Sequence, residues 1–201
     1  MAGEVQPKTR GRPWGLYLLL LGGVLAGVLM ALLTAASSTG DTRPAVKPGS
    51  YDLPLTVQDL RVEQPAPAFT ARTPDGATIA LADLRGAMVA LNFWATWCAP
   101  CEAEMPELQR AAARYADAGL IVLGVNQAEA ADAVQAFMDA HGLTFPTVLD
   151  AEQDIAYHYG VNSLPMTFWI DAEGIVRAKH LGMLTADDID QYVAELRAAG
   201  S

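Results

Sequence analysis

Two cysteines, Cys98 and Cys101, are the only ones in this chain of 201 residues, and two residues separate them. They lie in the stretch FWATWCAPCEAEMP, residues 93–106. A pair at this spacing can alternate between dithiol and disulfide, because one thiolate attacks a disulfide and the other cysteine resolves the mixed product. The pair therefore indicates redox chemistry, which we weigh against three other uses of two cysteines.

A structural disulfide, a zinc site and a haem attachment all fit the sequence less well. A disulfide that closes so short a loop stabilises little, since the gain grows with loop length. Zinc needs about four ligands, and the three histidines, His141, His158 and His180, are distant in sequence from the cysteines. Haem attachment needs a histidine directly after the second cysteine, where Glu102 stands. We therefore favour the redox interpretation.

The elements predicted around the pair place Cys98 at the amino end of a helix. The run AMVALNFWA, residues 87–95, is typical of a central strand covered on both faces. Residues 98–119 favour helix, and Gly119 closes it. Unpaired backbone N–H groups and the helix dipole at this end would stabilise a Cys98 thiolate, which is the attacking species.

The rest of the chain after residue 62 alternates between strand and helix patterns. A hairpin is predicted around Asp75 and Gly76, and the last helix has Thr185 as its N-cap. The other predicted elements are strands at 120–126 and 145–150, helices at 128–142 and 152–160, and a second hairpin at 166–182. This order predicts an α/β fold, with a mixed sheet covered by helices on both faces.

The stretch LYLLLLGGVLAGVLMALLTAA, residues 16–36, carries no charge. As a helix it is long enough to cross the ~30 Å hydrocarbon core of a bilayer. Lys8, Arg10 and Arg12 precede it, so the positive-inside rule keeps residues 1–15 in the cytoplasm and exports the rest. A signal peptide cleaved just after this stretch is the alternative, although its apolar region is usually shorter.

Residues 37–62 are rich in Ser, Thr, Gly and Pro and predict a linker, so that the folded domain spans residues 63–201. The chain has 23 Asp and Glu against 13 Lys and Arg, for a formal net charge of −10 at pH 7. Such a charge disfavours phosphate backbones and anionic membrane surfaces. We expect no nucleic-acid partner.

The stretch NFWATWCAPCEAEMP resembles the active-site signature of thioredoxin-fold proteins. More narrowly, it is similar to that of the membrane-anchored TlpA/ResA-type thiol-disulfide oxidoreductases of bacteria. The resemblance covers about residues 64–196 and includes APAF, LADLRG, LPMTF and IDAEG. It implies a thioredoxin fold with an N-terminal β-hairpin and an inserted helix, preceded by one transmembrane helix.

The same resemblance assigns roles to the residues that match. It implies that Cys98 attacks and that Cys101 resolves. Pro165 matches a cis-proline loop that faces the cysteines and, with Leu164, would hold the extended chain of the substrate. Trp97, next to Cys98, would form part of the substrate-facing surface. Trp94 lies on the central strand, where aromatic residues usually belong to the core.

Glu104 matches a glutamate that tunes the cysteines in TlpA/ResA-type proteins. It lies on the helix face of Cys101, where a carboxylate raises the pKa of a thiol and is able to act as its base. The alternative is a solvated helix charge, as we expect for Glu102. Asn92 stands where cytosolic thioredoxins carry a buried aspartate, and asparagine cannot shuttle a proton. That task would then fall to Glu104 or to water.

By this resemblance, the protein reduces protein disulfides outside the cytoplasm, among them those of apocytochromes c or of copper-site assembly proteins. It would need no cofactor, and a membrane thiol transporter would recharge it. A second hypothesis is a peroxide-reducing redoxin, since the opening APAF…LADLRG is similar to that of peroxiredoxins; their Thr/Ser-x-x-Cys site with a partner arginine is not seen. A third is a copper-binding or copper-delivery module, with His180 as a third ligand beside the thiolates.

Overall fold

The computed structural model describes residues 62–199. The predicted cytoplasmic segment at 1–15, the transmembrane helix at 16–36 and all but the last residue of the linker at 37–62 lie outside the described residues and stay predictions. Between residues 62 and 199, no helix has both the length and the apolar character that a membrane span requires.

Within residues 62–199, eight strands form two sheets. They are β1 (Gln64–Pro65), β2 (Thr70–Arg72), β3 (Thr78–Ala80), β4 (Met88–Trp94), β5 (Leu120–Gln127), β6 (Thr147–Asp150), β7 (Met166–Ile170) and β8 (Ile175–Leu181). The central sheet has the order β1-β8-β7-β4-β5-β6, and β2 pairs with β3 in a separate hairpin. Strands β4, β5 and β6 are parallel, whereas β7 runs antiparallel to β4 and β8 to β7. The sheet is mixed, as the order of elements predicts.

In the described part of the chain, four α-helices accompany the strands: α1 (Ala99–Arg114), α2 (Ala131–Ala140), α3 (Asp154–Tyr159) and α4 (Ala186–Ala199). The helix predicted over 98–119 is α1 followed by a 3-10 turn, Ala116–Ala118, that ends at Gly119 with φ +81°. The predicted cap of α4 is confirmed, since the backbone N–H of Asp188 donates to Thr185 Oγ1 at 3.2 Å. The predicted N-terminal hairpin is β2–β3.

The central sheet is buried on both faces. On one face, Trp94 and Trp169 pack in a core that includes residues of α1, α2 and α4. On the other face, Phe93 and Phe168 pack with Tyr159 of α3 and with residues around the β2–β3 hairpin. Trp94 is fully buried, which confirms its predicted place in the core.

The carboxyl ends of strands β4, β5 and β6 lie together at one edge of the central sheet. The carboxyl ends of parallel strands meet at the same edge, which is where open α/β sheets bind ligands. Here β4 leads to Cys98 and β5 ends at Gln127, which pairs with Asp150 at the end of β6. Strand β7 begins at this edge because it is antiparallel, and its first residue pairs with Phe93. The loop before β7 therefore lies near Cys98.

Candidate active site

Cys98 and Cys101 form a disulfide with an S–S distance of 2.05 Å. Cys98 is the N-cap of α1, and its sulfur accepts a hydrogen bond from the backbone N–H of Cys101 at 3.3 Å. This confirms the predicted position at the amino end of a helix. Cys98 is 5% exposed and Cys101 is 0% exposed. An external thiolate or disulfide can therefore approach Cys98, whereas Cys101 is shielded behind it.

The peptide bond between Leu164 and Pro165 is cis, as the resemblance implies. Met166, the next residue, pairs with Phe93 in the central sheet, which brings this loop to the edge where Cys98 lies. The carbonyl of Pro165 accepts a hydrogen bond from the backbone N–H of Gly182 at 3.0 Å. The loop before β7 is thus held by the segment that follows β8.

A cleft of about 580 Å³ opens beside Cys98. It is lined by residues 97–100, by residues 161–164, and by Gln127 and Gln153. Trp97 is 70% exposed, so most of its ring faces solvent at this cleft. Three residues with a predicted role in attack or binding, Trp97, Cys98 and Leu164, therefore share one cleft. Pro165 is the residue after Leu164 and is not part of the cleft lining. The roles of all four residues remain predictions.

Glu104 is buried, with 0% of its surface exposed. Its Oε1 accepts a hydrogen bond from Asn92 Nδ2 at 2.8 Å, and its Oε2 accepts one from the backbone N–H of Leu184 at 2.8 Å. Burial raises the pKa of Glu104 to about 7, although both hydrogen bonds act in the opposite direction. The alternative of a solvated helix charge is therefore wrong for Glu104, because α1 turns this side chain into the core.

Asn92 links Glu104 to the neighbouring strand. Its Nδ2 donates to Thr167 Oγ1 at 2.9 Å as well as to Glu104. Asn92 and Thr167 are directly opposite each other on β4 and β7. The sequence identified Asn92 only as a departure from thioredoxins. Its contact with Thr167 depends on strand register, which no local pattern specifies.

Glu129 is a second carboxylate that sequence reasoning missed. It accepts hydrogen bonds from the backbone N–H of Thr96 at 2.8 Å and from Asn126 Nδ2 at 2.7 Å, and a further one from the Thr96 hydroxyl. Thr96 lies two residues before Cys98, so Glu129 fixes the loop that leads into the active site. The only sequence signal is an acidic residue in the first turn of the helix predicted at 128–142, which is common at helix starts.

The histidines take ordinary positions in this structure. His141 Nε2 lies 3.2 Å from an oxygen of the exposed Glu102, which bears out the surface position of Glu102. The hydrogen bond to the carbonyl of Phe137 raises the pKa of His141, and the hydrogen bond to Glu102 adds a smaller effect in the same direction. His180 contacts the Tyr192 hydroxyl and the Met183 carbonyl, both at 3.3 Å. Within residues 62–199 no group of three or more His, Cys, Asp or Glu residues is placed to hold a metal ion.

Residues 62–179 match the AhpC/TSA family. Thiol-disulfide oxidoreductase ResA of Geobacillus thermodenitrificans is 40% identical over 138 residues, covering 69% of this chain and 79% of that protein. ResA of Bacillus subtilis is 38% identical over 128 residues, covering 64% and 72% of the two chains.

Solved structures agree with this relationship. A thiol:disulfide interchange protein of Chlorobium tepidum is 29% identical, with a TM-score of 0.62, covering 68% of this chain and 97% of that one. A secreted disulfide oxidoreductase of Mycobacterium tuberculosis, homologous to DsbE of E. coli, is 31% identical, with a TM-score of 0.56, covering 64% and 96%.

The fold and the cysteine pair define a thioredoxin-like redox protein. The chain belongs to the AhpC/TSA family and, within it, is a thiol-disulfide oxidoreductase of the ResA type. The site lacks the features that would favour the peroxidase hypothesis: Ala95, not Ser or Thr, stands three residues before Cys98. Among the described residues, no arginine lines the cleft.

Proposed function

We propose that this oxidoreductase works outside the cytoplasm as a membrane-tethered reductase of protein disulfides. Its proposed targets are cysteine pairs that must be reduced before they bind haem or copper, as in apocytochromes c or copper-site assembly proteins. One observation carries the proposal: Cys98 opens to a cleft, while Cys101 is shielded on the same helix as a buried carboxylate with a pKa of about 7.

The reaction begins from the reduced pair. The Cys98 thiolate attacks one sulfur of the substrate disulfide, so that a Cys98–substrate bond forms as the substrate S–S bond breaks. The second substrate sulfur leaves as a thiolate and takes up a proton. Cys101 then attacks the Cys98 sulfur, which releases the first substrate sulfur and forms the disulfide present in this structure. Two electrons pass from the cysteine pair to the substrate.

Glu104 is suited to the second step. Cys101 must lose its proton before it attacks, and it is fully buried, away from solvent bases. Glu104 lies three residues further along α1, on the same helix face, and its pKa of about 7 allows it to accept a proton near neutral pH. Asn92 and Leu184 hold the carboxylate in place for this role.

The same carboxylate favours the reducing direction. Strong disulfide donors are oxidants because their reduced thiolate form is stabilised. An ionised Glu104 has the opposite effect, because its charge disfavours a second negative charge on the cysteines. Among the described residues, no lysine or arginine lines the cleft to offset it. The pair should therefore give up electrons readily.

The location rests on the sequence. The uncharged stretch 16–36 and the cations before it support an anchor, with the domain outside. Exported compartments are oxidising, so the reductase needs a supply of electrons, for which we propose a membrane thiol transporter. The tether raises its effective concentration near that donor. Alkaline phosphatase fused after residue 201 should be active in cells; an inactive fusion that is expressed at the same level would contradict export.

The reaction is tested with a peptide that carries a Cys-x-x-Cys-His disulfide. The Cys101→Ser variant should form a mixed disulfide with it through Cys98, visible as an adduct by mass spectrometry, and Cys98→Ser should form none. The reduced wild-type chain should convert the peptide to its dithiol. A reduced chain that leaves the peptide oxidised, while the oxidised chain oxidises the dithiol peptide, would reverse the proposed direction.

A further inference from the structure

Gln127 is a polar residue of the cleft that the mechanism does not use. It ends strand β5 and is 5% exposed, yet it lines the same cleft as Cys98. Its Nε2 donates a hydrogen bond to Asp150 Oδ2 at 3.2 Å. Between residues 62 and 199, no donor bonds its Oε1. A carboxamide with one hydrogen-bonded end therefore lines the same cleft as Cys98.

Asp150 determines which end of the Gln127 carboxamide lacks a hydrogen-bond partner among the described residues. Its Oδ1 accepts from the backbone N–H of Ile155 at 3.1 Å, and its Oδ2 from that of Ala156 at 2.8 Å. These bonds hold the carboxylate at the start of α3. Because a carboxylate attracts the N–H end of Gln127, the oxygen end remains as an acceptor for another donor.

Asp150 also holds the backbone next to Gln127 and the backbone of Gln153. The carbonyl of Asp150 accepts from the N–H of Ala128 at 3.1 Å and from that of Gln153 at 3.2 Å. Ala128 has φ +54° and Gln153 has φ +60°, a region that residues with side chains seldom adopt. Such conformations persist where surrounding contacts impose them, and they concentrate at functional sites.

The other residues of the cleft favour a ligand without net charge. Gln153, Asn162 and Ser163 line it with uncharged polar groups, and among the described residues no charged side chain does so. An acceptor in such surroundings matches an uncharged donor. A backbone N–H of an extended polypeptide is the commonest donor of this kind.

We propose that Gln127 determines specificity, its Oε1 accepting a hydrogen bond from a backbone N–H beside the cysteine that Cys98 attacks. This inference rests on the proposed disulfide reduction and names its substrate class as polypeptide disulfides with uncharged flanks. The bond holds the chain while the Cys98–substrate S–S bond forms and the second substrate sulfur leaves. A small disulfide without an N–H group cannot form this hydrogen bond, so Gln127 does not speed its reduction.

The test compares two oxidants of the reduced full-length chain. One is a peptide disulfide with uncharged residues on both sides of each cysteine, and the other is 4,4′-dithiodipyridine, which has no hydrogen-bond donor. Gln127→Met keeps the length of the side chain and removes the acceptor. It should lower kcat/KM for the peptide by about fivefold to tenfold, the effect of one hydrogen bond, and leave that for dithiodipyridine unchanged. Gln191→Met, on α4, is the matched control.

A second measurement keeps the proposal open to failure if Gln127→Met folds poorly. Peptides in which single backbone amides next to the cysteine are replaced by esters should react more slowly with the wild-type chain at one position, a result that needs no variant. If Gln127→Met is folded, it should show no further loss at that position. Equal losses on both oxidants, or no ester-sensitive position, would overturn the role of Gln127. A wild-type chain that reduces neither oxidant would instead overturn the proposed function.

Discussion

Glu104 and Leu184 are joined by a hydrogen bond of 2.8 Å from the backbone N–H to the buried carboxylate, although 80 residues separate them. The segment that carries Leu184 also holds the loop before β7, through the bond from Gly182 to the carbonyl of Pro165. Glu104 lies on the helix that bears the cysteines, and this hydrogen bond ties it to the segment that holds the cis-proline loop.

The raised pKa of Glu104 predicts how stability depends on pH. Its folded pKa is about 7 against an ordinary 4.5, so between these values the folded chain binds more protons than the unfolded one. Stability present at low pH is therefore lost as pH rises through 7, by about 3 kcal/mol from this group. Glu104→Gln should remove this decline, measured by urea unfolding of the oxidised chain between about pH 5 and pH 8.

Glu195→Gln is the control for this change, because Glu195 is an exposed residue of α4. It should retain the slope of the wild-type chain. Identical slopes in the wild-type chain and in Glu104→Gln would show that Glu104 is ionised throughout this pH range, contrary to the account.

The same pKa predicts a pH profile for the resolving step. If Glu104 accepts the proton of Cys101, release of substrate from the mixed disulfide should speed up through an apparent pKa near 7 that belongs to the coupled pair. Glu104→Gln should slow this step by about 10²-fold and remove the inflection. Single-turnover quenching of the mixed disulfide measures the rate. An unchanged profile in the variant would assign the proton to water.

Trp97 should act on binding and not on stability. It is 70% exposed at the cleft, so Trp97→Ala removes little packing. We expect KM for a peptide disulfide to rise about tenfold with kcat unchanged, and the free energy of unfolding to move by under ~0.5 kcal/mol. Tyr157, also exposed but not part of the cleft lining, gives the control Tyr157→Ala. Equal KM values for the two variants would argue against a binding role.

Gly124 marks a close approach of strand β5 to Thr147 of β6 and Trp94 of β4. A Cβ at this position would lie 2.5 Å from Thr147 Oγ1 and 2.8 Å from Trp94 Nε1. Gly124→Ala should therefore destabilise the domain by about 1–3 kcal/mol in urea unfolding. Adding Thr147→Ala should recover part of this loss, since the hydroxyl has no hydrogen-bond partner among the described residues. A double variant no more stable than Gly124→Ala would show that the clash lies elsewhere.

The fold and the cysteine pair could be predicted because their signals are local. An apolar run gives β4, the following residues favour helix, and Cys98 falls at their junction, so periodicity and propensity suffice. Thr185 likewise caps α4 through contacts within three residues. The cis bond before Pro165 follows from the resemblance alone.

The polar contacts of the site could not be predicted. Glu104 was expected near Cys101, but its burial depends on how α1 packs on the sheet and on Leu184, far along the chain. Glu129 and Thr96 meet because β4 and β5 are neighbours. Gln127 meets Asp150 only through the register of β5 and β6. Each of these pairs is set by tertiary structure, which a single sequence does not display.

The reducing direction is the central claim, and the midpoint potential of the Cys98/Cys101 couple tests it most directly. The full-length chain is equilibrated with thiol buffers at pH 7, and tryptophan fluorescence reports the redox state, since Trp97 adjoins Cys98. The account predicts a potential near or below ~−250 mV, in the range of thioredoxin. A value near ~−120 mV would make the protein a disulfide donor and contradict the account.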